Sequence, residues 1–482
     1  MPTLKGNIIL NGLNTLTGLL FPIITFPYAA RILMPEGIGT INFLNGIINY
    51  IVLLTSLGIP LYAVKEVAKC RDDIATRNKV TIEILILSLI LSAIGYIAVW
   101  LLAKLIPEIH QQSSLFYILS LTIVFTTLGV NWFYQAIEDF KFITIRAVII
   151  RTLAAVALFV FVKNQSDLIA YAFIIVGSTV GNNFINFIHL RKYLNYNPSC
   201  ISLHGIVRHL QPTMVLFVMN LIVSLYVSLN SVMLGFLSDE TEVGYFTAGT
   251  RISHVGLTII ASIGTVLLPR CSNLLAQGDT DGFNFLINKS LKLILALALP
   301  ITLGLMILCK PITLLFCGDD YYPSIIILFL NAPVIIFVGL TNLMGIQVLY
   351  PKDKTNIVLW SVGMGALTNL LLNFSLLPPL GATGAAIATL IAEFIVLLIQ
   401  YFSGKKYLPF TLKQLFNIKL IIATIIMSLC VWLTLMLNTS DMWHTILGIS
   451  VGIVSYAFML FLMKEPLFIE MKKAIISKIS HA

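Results

Sequence analysis

The chain has 482 residues, of which 58% are hydrophobic and only 11% are charged, and its formal net charge is +9. A soluble protein of this length needs a far more charged surface, so the composition excludes an ordinary water-soluble enzyme. In lipid, only α-helices and closed barrels satisfy every backbone polar group. The apolar runs here are longer than the alternating strands of a barrel, which have about 10 residues. We therefore predict an all-α integral membrane protein.

Fourteen apolar segments are long enough to cross the bilayer as helices, each of which needs roughly 20 residues. In chain order, these spans one to fourteen are 6–31, 38–64, 82–103, 114–137, 142–162, 168–188, 212–236, 244–268, 291–309, 324–349, 356–377, 383–402, 418–437 and 443–463. Several are longer than a perpendicular crossing requires, so we expect tilted helices.

Most basic residues lie in every second gap between these spans, and therefore on one side of the membrane. With the N-terminus in the cytoplasm, 24 of the 30 lysines and arginines fall on the inner side. The other six are Arg31, Lys104, Lys163 and Lys310 on the outer side, and Arg151 and Arg251 within spans. The positive-inside rule then predicts a multi-pass protein of the bacterial cytoplasmic (inner) membrane with both termini in the cytoplasm. The positive charge indicates contact with anionic membrane lipid and not with nucleic acid.

The chain also repeats itself. Ser56-Leu57-Gly58 recurs as Ser262-Ile263-Gly264, and Arg191-Lys192-Tyr193-Leu194 recurs as Lys405-Lys406-Tyr407-Leu408. Each repeat has six spans, so both copies cross in the same direction, as in transporters built from two parallel bundles. We predict fourteen transmembrane helices: two pseudo-symmetric six-helix lobes, 1–207 and 208–410, around a central cavity. Segment 411–482 adds two further transmembrane helices and a cytoplasmic tail.

Polar residues at helical spacing mark the first two spans of each half. The four stripes are Asn7, Asn11 and Asn14; Asn42, Asn45, Asn49 and Ser56; Asn220, Ser224 and Ser231; and Thr247, Arg251, His254, Thr258 and Thr265. Polar side chains are costly against lipid, so each stripe predicts either a water-filled cavity or a polar contact between helices. The equivalent positions in the two halves favour one shared, substrate-binding cavity.

Arg251 is the most informative single residue of these stripes. It lies about eight residues inside span eight, roughly 12 Å from the outer end at 1.5 Å per residue. A guanidinium group is a natural partner of phosphate, because it can bond two oxygens at once. His254 follows one turn later on the same face. The alternative to anion binding is an internal ion pair or a side chain that extends to the lipid headgroups.

Three further charged residues are candidates for the same cavity. Arg151 lies about nine residues into span five, where pairing with a neighbouring helix is the alternative. Glu393, near the middle of span twelve, is either a site for a coupling proton or sodium ion or the neutralising partner of a buried arginine. Arg31 closes span one at the outer surface, where it either anchors the helix or meets a substrate phosphate.

Several segments resemble the bacterial oligosaccharide flippases of polysaccharide biosynthesis. They are Phe26–Gly39, Asn131–Phe142, Gly318–Ser324, Asn342–Gln347 and Tyr350-Pro351. The chain is similar to the Wzx-type branch of the multidrug/oligosaccharidyl-lipid/polysaccharide exporter superfamily along its whole length. From physics alone, the aromatic residues around Trp132 indicate a membrane boundary, and Glu138-Asp139 are expected to cap the start of span five.

The resemblance implies a secondary transporter and not an enzyme. Its substrate would be an undecaprenyl-pyrophosphate-linked oligosaccharide for O-antigen (lipopolysaccharide), capsule or exopolysaccharide assembly, moved to the outer leaflet by alternating access. It also implies a cavity lined by the first two helices of each lobe. Membrane lipid, a coupling proton or sodium ion and a polysaccharide polymerase are the expected partners.

Other classes fit the sequence less well. A multidrug and toxin extruder shares the architecture, but such cavities commonly hold carboxylates, and spans one, two, seven and eight have none. A lipid II flippase of the same superfamily fits the quoted segments less closely. A membrane glycan polymerase or ligase is expected to have a large outer loop, and here the longest has only about a dozen residues. No motif marks a metal or an organic cofactor, and there is no P-loop.

Overall fold

The computed structural model describes residues 4–194 and 202–465. Within helices, the side chains at 4–13, 15–16, 19–20, 140, 215–216, 218–227 and 265–266 lie outside this description. The described part of the chain consists of helices and connecting turns, without a strand. This confirms the predicted all-α fold class. The chain divides into two compact units, Met1–Gly244 and Tyr245–Ala482, whereas the six-helix lobe boundaries stay a prediction.

The described residues of the first unit form ten α-helices and the first turn of an eleventh. They are α1 Leu4–Ser56, α2 Ile59–Lys69, α3 Ile74–Leu105, α4 Pro107–Gln111, α5 Ser113–Leu128, α6 Asn131–Ala136, α7 Phe140–Phe161, α8 Leu168–Leu190, α9 Leu203–Val207, α10 Leu210–Leu237 and α11 Glu240–Ala276. The unit boundary lies in α11, whose first turn packs against α1. A Cβ on Gly39 would lie 1.5 Å from the carbonyl oxygen of Glu240, so only glycine permits this contact.

The second unit contains the rest of α11 and the helices that follow it. They are α12 Thr280–Ile307, α13 Cys309–Cys317, α14 Ser324–Asn331, α15 Val334–Asn342, a π-helix Leu343–Leu349, α16 Thr355–Gly404, α17 Leu412–Leu415, α18 Ile418–Thr434 and α19 Asp441–Leu462. The added helices α18 and α19 pack against each other and against α12 and α13. The Tyr456 hydroxyl donates a hydrogen bond to the Ala296 carbonyl at 2.8 Å, which joins α19 to α12.

Eleven described helical segments are long and apolar enough to span a membrane. Two of them, Phe21–Lys69 and Thr355–Tyr407, have 49 and 53 residues. The first covers the end of predicted span one and all of span two, and the second covers spans eleven and twelve. Helix α10 corresponds to predicted span seven, although many of its side chains lie outside the description. The protein is therefore a multi-pass integral membrane protein, and its helices are compatible with fourteen crossings.

Both long helices break where the sequence predicts a boundary between spans. In α1 the break is at Met34, with φ 60° and ψ 173°, directly before Pro35. Proline removes a backbone donor and disfavours the helical conformation of the residue before it. In α16 the break is at Gly381, with φ 51°, after Pro378 and Pro379. Glycine adopts this conformation without strain, whereas Met34 does not.

The aromatic residues around Trp132 form a protein core in the first unit. Trp132, Phe133 and Tyr134 are all buried, in a cluster with residues of α2 and α3. These side chains therefore face protein and not lipid headgroups, and their position at a membrane boundary stays a prediction. The expected cap of span five is confirmed: the Asp139 side chain accepts a hydrogen bond from the Phe142 N–H at 3.2 Å.

The same place in each half departs from a regular α-helix. In the first half, α6 begins after Val130, which has φ 38°. Phe125, Leu128 and Gln135 recur as Phe337, Leu340 and Gln347, at an offset of 212. At this offset the corresponding residues form the π-helix Leu343–Leu349. Within it Gln347 is completely buried, and neither polar atom of its side chain has a hydrogen-bond partner in the described part of the chain.

Candidate functional site

The polar face of α1 binds Arg151 of α7. The Arg151 Nη1 donates to the Asn14 carbonyl at 2.9 Å, to Asn14 Oδ1 at 3.1 Å and to Thr17 Oγ1 at 2.7 Å. Gly18 leaves room beside it, since a Cβ at Gly18 would lie 3.3 Å from Nη2. The structure thus brings together two predicted site residues, Asn14 and Arg151. All three acceptors are neutral, so none of them neutralises the positive charge of the guanidinium.

The second part of α1 presents its predicted stripe on a partly open face. Asn45 is half-buried and Asn49 is exposed, while Leu44 and Ile48 on the other side are buried. The Asn42 Nδ2 donates to the Ile38 carbonyl of its own helix at 2.7 Å. This part of α1 therefore has a packed apolar face and a second face, the stripe, which carries amide donors and acceptors.

The charged stripe of α11 is also on an open face of its helix. Arg251 and His254 are exposed and Thr258 is half-buried, with its hydroxyl donating to the His254 carbonyl at 2.8 Å. The other face of α11 is packed in the second unit, where Gly256 contacts Ile335 and Ile301. Arg251 lies within the apolar segment Glu240–Ala276, so this exposed charge is part of a candidate membrane span.

The structure describes only some of the remaining predicted residues, and for these it gives their exposure. The side chains of Asn11, Asn220 and Ser224 lie outside the described residues, so their predicted roles stay predictions. Arg31 is exposed on α1, and Glu393 is half-buried on α16. The polar stripe of α11 presents the guanidinium of Arg251, the imidazole of His254 and the hydroxyl of Thr258. Such a set is suited to an anionic, hydroxyl-rich ligand.

One buried arginine was missed as a site candidate by the sequence analysis. Arg146, which was assigned to the inner loops, is only 6% exposed within α7. Its Nε donates to Asn182 Oδ1 at 3.1 Å, and its Nη2 donates to Asn131 Oδ1 at 3.2 Å. Asn186 Nδ2 also donates to Asn131 Oδ1, at 2.8 Å. Asparagines four residues apart in span six were the signal that an apolar span held a polar partner.

A buried carboxylate was missed as well. Glu83 of α3 is completely buried, and its Oε2 lies 2.7 Å from Arg208 Nη2 and 3.2 Å from His209 Nε2. The His209 Nδ1 lies 2.7 Å from the Tyr62 hydroxyl. With Nε2–H donating to Glu83, the other ring nitrogen accepts from Tyr62. The cluster joins α2, α3 and the start of α10. An acidic residue just inside a predicted span was its signal in the sequence.

Comparisons of the sequence with known families and curated proteins give consistent matches. The profile of the polysaccharide biosynthesis protein family matches residues 4–275, and the MatE profile matches residues 216–375. A protein of Escherichia coli (strain K12) that carries the name O-antigen transporter is 26% identical over 416 residues, which are 84% of this chain and 98% of that protein. A protein of the same name from Shigella dysenteriae is 24% identical over 404 residues, 82% of this chain and 99% of the relative.

The fold is shared with solved transporters. The lipid II flippase MurJ in an inward closed conformation has a TM-score of 0.77 at 18% identity, over 95% of this chain and 99% of that one. A multidrug resistance MATE family transporter in an inward-facing conformation has a TM-score of 0.59 at 15% identity, over 83% and 97% of the two chains. These likenesses confirm the fold class predicted from the sequence.

Proposed function

Since the chain belongs to the polysaccharide biosynthesis protein family, whose profile covers more than half of it, we propose that it is a lipid-linked oligosaccharide flippase. It moves undecaprenyl-pyrophosphate-linked oligosaccharide from the cytoplasmic to the outer leaflet by alternating access. The product serves O-antigen, capsule or exopolysaccharide assembly. The name of the Escherichia coli and Shigella relatives, which match over nearly their full lengths, supports this substrate class.

The observation that carries the proposal is the exposed Arg251 within an apolar span of α11. A full charge in such a span is costly unless water, a ligand or a partner within the protein reaches it, and an exposed position gives water and ligand access. The pyrophosphate of the substrate supplies oxygens for a bidentate guanidinium contact. His254 and Thr258, on the same face, and Asn45 and Asn49 of α1 would serve the polar headgroup.

The membrane arrangement that we propose follows the distribution of basic residues. The protein lies in the cytoplasmic (inner) membrane with both termini in the cytoplasm. Residues 1–207 and 208–410 act as the two lobes of the transport cycle, and 411–482 is an addition to them. Glu393 is the proposed site for a coupling proton or sodium ion, and a polysaccharide polymerase is the proposed partner that consumes the product.

A multidrug and toxin extruder is the second candidate, because the MatE profile matches residues 216–375. An extruder of cationic drugs is expected to attract its substrate with carboxylates. Spans one, two, seven and eight contain none and include Arg251. Electrostatics therefore favour the anionic substrate over the cationic one.

The test is transfer of a fluorescent lipid-linked oligosaccharide in proteoliposomes. We expect Arg251→Ala to abolish transfer and Arg251→Lys to retain part of it, because lysine keeps the charge without the bidentate geometry. Arg270→Ala is the matched control, since Arg270 is an exposed arginine of the same helix. Full transfer by folded Arg251→Ala would remove this residue from the mechanism, and export of cationic drugs alone would favour the extruder.

A further inference from the structure

A groove of about 490 Å³ lies between α7 and α8 in the first unit. Much of its lining is apolar, with Ile145 and Ile149 of α7 and Ile185 of α8. All three isoleucines are exposed and belong to membrane-spanning segments. At one end the lining changes to Lys141 in the first turn of α7 and Tyr193 after α8. The groove thus has the polarity profile of a lipid, with a polar head and an apolar body.

The wall of the groove contains a buried arginine without an acidic partner. Arg146 lines the groove, and two of its nitrogens bond the neutral amides of Asn131 and Asn182. The third, Nη1, has no hydrogen-bond partner in the described part of the chain. The ion pairs found there do not include Arg146. A buried cation that lacks a counter-ion is destabilising in a bilayer, so binding of an anion would be favourable.

A second donor lies next to Arg146. The Nδ1 of His189, another lining residue, is also buried without a partner in the described residues. Its ring stacks on Phe142 with centroids 4.1 Å apart, and the Arg146 Cζ lies 5.4 Å from the centre of the same ring. Asp139 is the acidic residue of the lining. Its carboxylate already accepts from the Phe142 N–H at 3.2 Å and the Tyr193 hydroxyl at 3.4 Å.

We propose that this groove binds an anionic phospholipid of the surrounding membrane. The phosphate lies at Lys141, Arg146 and His189, and one acyl chain lies along the isoleucines. Because both unpartnered nitrogens are beneath the groove surface, Phe142, which contacts both side chains, turns aside when the phosphate binds. Basic pockets between transmembrane helices are known as headgroup sites for anionic lipids. The lining lacks the many polar groups that an oligosaccharide needs, so the site is separate from the proposed transport path.

The test uses native mass spectrometry of the full chain with lipid added to the micelles. We expect phosphatidylglycerol to stay bound more tightly than phosphatidylcholine with the same acyl chains, and glycerol phosphate not to bind, because it lacks the acyl chain. Arg146→Gln and Ile149→Trp should each weaken phosphatidylglycerol binding about tenfold, as expected for one charge-assisted bond or a blocked groove. Arg270→Gln and Leu153→Trp are the matched controls. Leu153 is 58% exposed on the same helix and does not line the groove.

Three outcomes would overturn the proposal. The first is unchanged phosphatidylglycerol affinity in both groove variants. The second is equal binding of glycerol phosphate, which would assign the site to a free anion. The third is displacement of phosphatidylglycerol by undecaprenyl phosphate at equal concentration, which would assign the site to a polyprenyl lipid. If Arg146→Gln does not fold, Ile149→Trp and Lys141→Gln decide the matter, since Ile149 and Lys141 are exposed. None of these results depends on whether the protein is a flippase.

Discussion

Two ion pairs of the first unit have nearly equal lengths and differ in burial. Arg208 Nη2 lies 2.7 Å from Glu83 Oε2, and Lys69 Nζ lies 2.6 Å from Glu66 Oε1. The Glu83 side chain is 0% exposed, whereas Glu66 is 26% exposed and its partner Lys69 is 58% exposed. Water and salt screen the exposed pair, which contributes at most about 1 kcal/mol. The two carboxylates therefore allow the same substitution in two environments.

The change Glu83→Gln keeps the size of the side chain and removes its charge. It weakens the bonds from Arg208 and His209, and a bond to a charged group contributes about 1.5–3 kcal/mol. Water compensates for part of the free energy lost with the Arg208 bond, because the Arg208 side chain is 48% exposed. Loss of the buried charge also removes its desolvation cost. We expect the free energy of unfolding to fall by about 2 kcal/mol for Glu83→Gln and about 4 kcal/mol for Glu83→Ala.

The assay is denaturation of the purified full chain by sodium dodecyl sulfate in mixed micelles. Glu66→Gln is the matched control and should change the free energy of unfolding by less than about 0.5 kcal/mol. A double-mutant cycle with Arg208→Gln then measures the coupling between Glu83 and its partner. Equal losses for Glu83→Gln and Glu66→Gln, or zero coupling to Arg208, would refute the reasoning from burial.

Three further predictions concern the same unit. In the same assay, Arg151→Leu should lower the free energy of unfolding by about 2 kcal/mol. A double-mutant cycle with Thr17→Val should show a coupling energy of about 0.6–1.7 kcal/mol, as found between membrane helices. Zero coupling would contradict the 2.7 Å contact between Arg151 and Thr17. Gly39→Ala should lower the melting temperature because its Cβ meets a backbone carbonyl, whereas Gly177→Ala, with open space around it, should not. Burial lowers the pKa of His209, and the hydrogen bond that its ring donates to the Glu83 carboxylate partly opposes this. The unfolded chain therefore binds more protons, so stability should fall as pH drops below about 6.5, and the slope should be smaller in His209→Gln.

The sequence was sufficient for features set by local chemistry. The break at Met34 was predictable because Pro35 follows it, and the start of α7 because Asp139 is a good capping residue. The lengths of the apolar segments, and the basic residues in every second gap between them, predicted a multi-pass helical protein. The contact of Arg151 with a neighbouring helix, which was the alternative to a role in the cavity, follows from the cost of an unpaired charge in lipid.

Partners that are distant in the chain were not predictable in the same way. Glu83 and His209 are 126 residues apart, and nothing in the local sequence of either residue specifies the other. The aromatic residues around Trp132 show the second difficulty. Their composition is typical both of a membrane boundary and of a packed core, and only the neighbouring helices α2 and α3 reveal the core. Arg146 combined both problems, since a basic residue near the end of a span is normally a topology signal.

The two arginines within predicted spans illustrate why a stripe of polar residues is not by itself a binding site. Arg151 uses Nη1 for three bonds to α1, so its role in holding two helices together accounts for its presence. Arg251 lies on an open face, beside the exposed His254. A substitution that only removes helix contacts should lower stability together with transport, as we expect for Arg151→Leu. Loss of transport by Arg251→Ala at unchanged stability would separate ligand binding from packing, and parallel losses in both variants would mean that Arg251 also serves packing.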